Sequence, residues 1–343
     1  MAPVALVIGL GYIGSAVIPA LSRAGFVVHA TARSAANGEA WLANAAHLGF
    51  TADVKMHVVP EVTVPGALDS ILHGVSVVVH CAALAPIPWL VTHEPPAEHF
   101  ERSLRYSTAA TLEPMRSAAK SASVRRFVLL STAATTGSSG ARDERHWRPI
   151  TEEQFLRKRD MSSLYVDTKT LGEKAAWAYV EREKPGFDLV SINPTYCLGP
   201  HGLQVINEFN QCVSNPAAFA SLLQPDADFS KKGRAAPRPF VDVRDVAEAC
   251  VKAATHDLSS GKRFVLAQPE RWTDMDALRL VAKHFPDKAD CVCKLPAEQP
   301  ATDFLDGSLA PRALGFTYRP AQETWLDMAA EIFGVERVKH EEL

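Results

Sequence analysis

Tyr165 and Lys169 stand four residues apart in Tyr165-Val166-Asp167-Thr168-Lys169, a run that continues Thr170-Leu171-Gly172-Glu173-Lys174-Ala175-Ala176-Trp177. Ala, Leu, Glu and Lys fill the continuation, so the segment is predicted to be a helix several turns long. Residues four apart on a helix lie on one face, which lets the phenol and the ammonium share a site. An unperturbed tyrosine titrates near ~10 and exchanges protons poorly at neutral pH. A cation about 4 Å away, at an effective dielectric of about 20, favours the phenolate by ~4 kcal/mol. At about 1.4 kcal/mol per unit, Tyr165 is expected to titrate near ~7. The same spacing also occurs as an ordinary surface pair, so its meaning depends on what the rest of the chain places beside it.

The N-terminal stretch offers a holder for a second reactant. Val4-Ala5-Leu6-Val7-Ile8 is an apolar run suited to a strand buried on both faces, and Gly9-Leu10-Gly11-Tyr12-Ile13-Gly14 follows it. Ser15 to Ala24 reads as a helix closed by Gly25. Strand, glycine turn and helix come in the order of a dinucleotide-binding unit. Gly9, Gly11 and Gly14 let the backbone approach a pyrophosphate, while Tyr12 and Ile13 lie at the helix mouth, where free N–H groups and the positive dipole end favour an anion. The second strand, Phe26 to Thr31, leads to Arg33. An acidic residue there would take the ribose hydroxyls of NAD; a guanidinium suits a 2′-phosphate, so NADPH is the expected cofactor.

Further strands are predicted over Met56–Val62, Ser76–Ala83, Arg125–Leu130, Asp188–Ile192 and Arg263–Ala267, with helical stretches between most of them. Glu61 and Val62 close the third strand, where an adenine ring would rest. Ala82 and Ala83 close the fourth, where small side chains let a cofactor lie close. Leu84 to Pro96 reads as a loop beside the site, and Pro114 as a kink or break in the helix over 98–123. Residues Thr135 to Arg159 read as polar and irregular. Thr273 is the expected N-cap of a helix reaching His284. The alternation specifies an α/β fold, a doubly wound (Rossmann) parallel sheet with a smaller, mostly C-terminal substrate lobe. Residues 1–194 and 238–268 are expected to form the nucleotide-binding part, and 195–237 and 269–343 the lobe.

Composition narrows the function classes. The 343 residues carry 36 basic and 39 acidic side chains, a formal charge of −3, with no basic block. Neither nucleic acid nor an anionic membrane surface is an expected partner. The six cysteines (81, 197, 212, 250, 291 and 293) are scattered, and neither a zinc nor a disulfide framework is expected from them. A reduced, cytoplasmic setting follows. Twelve histidines show no HExxH spacing, and no metal is expected. No apolar run reaches the ~20 residues that span a bilayer.

Several landmarks in one order make the chain resemble the extended short-chain dehydrogenase/reductase family, in its dihydroflavonol-reductase-like and fungal aldehyde/ketone reductase branch. The Tyr165–Trp177 run is the most specific. Asp143-Glu144 with Trp147, Asn193-Pro194-Thr195-Tyr196-Cys197-Leu198-Gly199-Pro200, Phe240–Ala247 and Leu314–Pro320 accompany it, so the likeness spans residues 4 to 333. The resemblance implies hydride transfer between a nicotinamide and a carbonyl or alcohol of a small molecule. Tyr165 is then the proton donor, and Lys169 holds the nicotinamide ribose. Thr132 is the hydroxyl expected on the substrate oxygen, with Ser131 in reserve, and Pro194 and Tyr196 join the cofactor contacts. The chain departs from the family pattern in its tighter GxGxxG turn, in Glu61 for Asp, in Ser107 for Asn, and in Cys197 for an aliphatic residue. Trp89, Tyr196, Phe209 and Phe219 are either pocket-lining or packing residues. Besides an NADPH-dependent reductase, the same fold admits an NAD-retaining epimerase or dehydratase on a nucleotide sugar, or a non-catalytic NADP-binding sensor.

Overall fold

The computed structural model describes residues 2–82, 97–137, 140–205, 239–291 and 303–336. Its strands in chain order are β1 (Val4–Ile8), β2 (Val27–Ala32), β3 (Val54–Val58), β4 (Val77–His80), β5 (Arg126–Leu130), β6 (Gly140–Arg142), β7 (Asp188–Pro194), β8 (Tyr196–Leu198), β9 (Phe240–Asp242), β10 (Arg263–Leu266) and β11 (Asp303–Leu305). Seven of them form one sheet in the order β10-β7-β5-β4-β1-β2-β3, and every pairing in it is parallel. The order runs outward from β1 in both directions, so the chain reverses between β1 and β4. In open α/β sheets, ligands bind in the crevice that such a reversal leaves at the carboxyl ends of the strands.

Both faces of the sheet are covered, which is why its strands are apolar throughout rather than alternating. On one side, helices α1 (Tyr12–Arg23) and α2 (Ala35–His47) pack over Val7, Ala30, Val128 and Val190. On the other, α3 (Ala97–Lys120) and α5 (Leu164–Glu183) pack over Leu6, Ile8, Val78, Phe127 and Leu129. Between them in sequence lies α4 (Glu152–Lys158), and after β9 come α6 (Val243–Thr255), α7 (Asp274–His284), α8 (Leu309–Leu314) and α9 (Ala321–Phe333). Each fully buried side chain such as Leu6 or Ile8 contributes about 1.5–3 kcal/mol through removal from water. A separate apolar cluster, with Leu198, Phe240, Leu278, Trp325 and Met328 at its centre, joins β8, β9, α7 and α9. Arg244 of α6 links two of these elements, donating to Asp242 of β9 at 2.8 Å and to Asp327 of α9 at 2.5 Å.

Four local expectations are corrected. The first helix begins at Tyr12, so Tyr12 to Gly14 form its opening turn. β3 covers Val54–Val58 and stops before Pro60, a residue without a ladder donor; Glu61 and Val62 lie in the turn beyond it. The stretch from Thr135 to Arg159 holds β6 and α4, and the latter starts in a reciprocal cap between Thr151 and Gln154. Finally, of the kink or break expected at Pro114, the break does not occur: α3 runs on through it. Proline there removes the N–H that would pair with the Ala110 carbonyl, and His80 Nε2 takes that carbonyl instead, at 2.9 Å. Thr273 caps α7 as its sequence predicts, accepting from Asp276 N at 3.1 Å.

Candidate active site

The crevice above β1, β4 and β5 gathers most of the residues with chemical potential. At its nucleotide end, Gly9 adopts φ +103°, a conformation glycine favours, and its N–H donates to Thr31 Oγ1 at 3.1 Å. A Cβ at Gly9 would meet Ala82 at 3.1–3.3 Å, and one at Gly14 would fall 2.0 Å from the Gly9 carbonyl oxygen. Both glycines therefore serve the tight turn itself. At Gly11, by contrast, a Cβ would have nothing within 4 Å. Gly11 caps α1 without a side-chain hydrogen bond, and the first turn carries no acidic residue. The opening N–H groups of a helix lack intrahelical partners, so Tyr12, Ile13 and Gly14 present donors and a positive dipole end to this space. These features fit a nucleotide pyrophosphate. The Tyr12 side chain turns the other way, its hydroxyl donating to the Gly199 carbonyl at 2.7 Å.

Arg33 follows β2 directly and is exposed. Glu61 is already engaged by the protein: it accepts from Thr63 N at 3.0 Å and from the Tyr106 hydroxyl at 3.1 Å. Burial and the Glu61 charge push the Tyr106 phenol up to about 12, with Arg33 opposing. Arg33, Glu61 and Tyr106 thus form one electrostatic group at the outer end of the crevice. Val62 and Ala82 rest on the apolar cluster beneath. Ala83, Trp89, Phe209 and Phe219 lie outside the described residues.

At the reacting end, β5 delivers Ser131 and Thr132, and α5 delivers Tyr165 and Lys169. The Thr132 hydroxyl lies beside the Tyr165 oxygen and favours its charged form. Ser131 points away from it, donating to Glu173 Oε2 at 2.5 Å. Tyr196 and Cys197 flank Tyr165, and Pro194 is buried at the end of β7. The lowered tyrosine expected from the Tyr165–Lys169 spacing is corrected. Although 38% of Tyr165 is accessible, its hydroxyl end is crowded by protein. Burial, then Cys197 and Tyr196, push it up to about 12, with the Thr132 hydroxyl opposing. The Lys169 ammonium is directed elsewhere, donating to the Leu130 carbonyl at 2.9 Å. Burial brings Lys169 down to about 8, with Glu173 and Cys81 pulling it up.

The pattern of the NAD dependent epimerase/dehydratase family matches residues 5–267. The chain belongs to this enzyme family. It is 29% identical to a ketoreductase of Aspergillus niger, covering 91% of each chain. It is 27% identical to the NADPH-dependent methylglyoxal reductase of Saccharomyces cerevisiae, over 95% of this chain and 96% of the other. Its fold also matches the NADPH complex of Gre2 from Candida albicans with a TM-score of 0.80, over 98% of this chain and all of that one, at 21% identity.

Beneath the reacting groups, this family member carries a buried polar network whose partners are far apart in sequence. Glu173, 2% exposed, accepts on Oε1 from Arg263 Nε at 2.8 Å and Ser191 Oγ at 2.8 Å. Its Oε2 accepts from Ser131 and from Asn193 Nδ2 at 2.9 Å. Burial alone would raise the Glu173 carboxyl, but Arg263 and the hydroxyls hold it below the usual carboxylate range. Arg263 also donates to the carbonyls of Glu144 and His146 at 2.7 and 2.8 Å and to Thr135 Oγ1 at 2.8 Å. Its guanidinium lies 3.6 Å from the Trp147 ring centroid, a cation–π contact. The one sequence signal for Glu173 was its position four residues after Lys169, on the same helical face. Among the described residues, no group of three or more His, Cys, Asp or Glu side chains is placed to hold a metal. No helix among them is long and apolar enough to cross a membrane.

Proposed function

We propose that the protein is an NADPH-dependent reductase that delivers hydride to the carbonyl of a small ketone or aldehyde. The observation that carries this reading is the placement of the Thr132 hydroxyl beside the Tyr165 oxygen at the carboxyl end of β5, with Lys169 one helical turn further along α5. When bound, NADPH supplies the hydride. The N–H groups of Tyr12, Ile13 and Gly14 would hold its pyrophosphate, and Arg33 would take the 2′-phosphate. Lys169, Pro194 and Tyr196 would hold the nicotinamide end, the lysine offering its ammonium N–H groups to the ribose.

Thr132 and Tyr165 both reach the substrate oxygen. Their hydroxyls polarise the carbonyl and stabilise the negative charge that develops as the carbon accepts hydride. Tyr165 then gives its proton to that oxygen. A phenol held near about 12 stays protonated at neutral pH, which suits a proton donor better than a base. An alkoxide is a stronger base than a phenolate, so the transfer still runs downhill. The raised pKa accordingly favours the reductive direction. Ketoreductase and methylglyoxal reductase relatives support the same chemistry.

A panel of methylglyoxal, aliphatic aldehydes and aryl ketones, followed by NADPH absorbance with NADH alongside, tests the reading. Tyr165→Phe should abolish turnover of the best substrate while leaving NADPH affinity nearly intact. Turnover by Tyr165→Phe at the parent rate would rule this mechanism out.

A further inference from the structure

At the outer end of the crevice, two opposite charges leave neighbouring strands side by side. β2 and β3 run parallel, Ala32 lies opposite Val58, and the Ala32 carbonyl accepts from Val59 N at 2.8 Å. Arg33 is the next residue after Ala32, and Glu61 comes two after Val59. Paired strands lie about 4.8 Å apart. An arginine and a glutamate that start so close are within reach of each other, and Coulomb attraction favours an ion pair between them. No such pair forms. Arg33 is exposed, and none of the ion pairs among the described residues includes it.

Glu61 is held instead by α3. The Tyr106 hydroxyl points between the two carboxylate oxygens, 3.1 Å from Oε1 and 3.2 Å from Oε2. A phenol has one proton, and here it serves both oxygens. Thr63 N also donates to Oε1, at 3.0 Å. That bond ties the carboxylate only to its own turn, whereas Tyr106 ties it to a helix 45 positions away in the chain. Burial and the Glu61 charge push the Tyr106 phenol up to about 12, so the donor keeps its proton at neutral pH. Arg33 opposes that shift, which places its charge near the same phenol.

We infer that Tyr106 is a positioning residue for nucleotide selectivity: by tying down Glu61 it keeps the carboxylate off Arg33 and leaves the guanidinium open to the 2′-phosphate of NADPH. The inference rests on the proposed role of Arg33. An acidic group beside the end of β2 suits the ribose hydroxyls of NAD and repels a phosphate. The chain carries such a group in Glu61, and the Tyr106 hydroxyl restrains it.

Tyr106→Phe keeps the ring and removes only the hydroxyl. Glu61 is then free to pair with Arg33, and the apparent affinity for NADPH falls with the fraction of protein whose guanidinium is open. Dissociation constants for NADPH and NADH are measured by fluorescence titration, and their ratio is the readout. Adenine and nicotinamide are common to both nucleotides, so a disturbance of the rest of the site cancels in that ratio. Tyr106→Phe should lower the preference for NADPH about fivefold, the effect of an exposed ion pair of ordinary strength. Adding Glu61→Gln to Tyr106→Phe should restore the preference, because the amide carries no charge to pair with Arg33. A ratio that stays at the parent value in Tyr106→Phe, or a loss that Glu61→Gln does not reverse, overturns the inference. Arg33→Ala separates the two levels. If it abolishes the NADPH preference while Tyr106→Phe leaves the ratio unmoved, only the role of Tyr106 fails; if it leaves the preference intact, the role of Arg33 and the inference fall together.

Discussion

Glu173→Gln removes one negative charge from beneath Lys169 while changing side-chain volume little. Cβ atoms four residues apart on a helix lie about 5–6 Å apart. Two unit charges at about 6 Å, at an effective dielectric of about 20, interact by ~3 kcal/mol, or ~2 pKa units. Glu173 is one of the groups holding Lys169 up at about 8, and its loss should bring the lysine towards ~6. The ammonium exists below its pKa, so activity that depends on it is lost as pH rises through that value. The basic limb of kcat/KM should therefore move to lower pH. At about pH 7 the charged fraction falls from ~0.9 to ~0.1, a roughly tenfold loss, and the loss shrinks below about pH 6. The variant also leaves Arg263, 8% exposed, without its carboxylate, which costs about 3–5 kcal/mol for a broken buried pair. Stability is read by thermal melting, and the pH profile is taken at a temperature where the variant is folded. A folded Glu173→Gln protein whose basic limb coincides with the parent's would refute the electrostatic reasoning.

The two hydroxyls after β5 should separate cleanly. Thr132→Val removes the hydroxyl beside Tyr165 and should cost about 10²–10³ in kcat, as the loss of one donor to a developing oxyanion does. Ser131→Ala removes a donor to Glu173 and should cost about 1–3 kcal/mol of stability by melting, with kcat little changed. The reverse pattern would reassign the substrate contact to Ser131. Arg33→Ala should weaken NADPH about 10–150-fold, from about 1.5–3 kcal/mol for a hydrogen bond to a charged group, and leave NADH unchanged; fluorescence titration with both nucleotides checks it. Equal losses for both nucleotides would remove Arg33 from 2′-phosphate recognition.

Local pattern carried much of this molecule. The apolar runs at Val4–Ile8 and Val77–Val79, with the glycine turn after the first, specify buried parallel strands because every side chain there must meet a covered face. The Tyr165–Lys169 spacing specified a shared helical face because helix geometry is periodic. Direction within that face was not local. Lys169 reaches the Leu130 carbonyl, and the Tyr165 hydroxyl comes beside Thr132, because β5 and α5 pack against each other although Thr132 and Tyr165 are 33 positions apart in the chain. A pairwise Coulomb argument made from spacing alone therefore had the wrong sign for the tyrosine, since the Lys169 ammonium turns to Leu130 and burial dominates at the phenol. Pro114 follows the same logic: its sequence predicts a kink or break, yet the helix runs on, and His80 from another element takes the carbonyl it leaves unpaired. Glu173, Arg263 and Asn193 form one network only because β7 and β10 bring them under the α5 helix. Charge placement and hydrogen-bond partnership depend on distances between segments remote in sequence, and those distances exist only once the sheet has assembled.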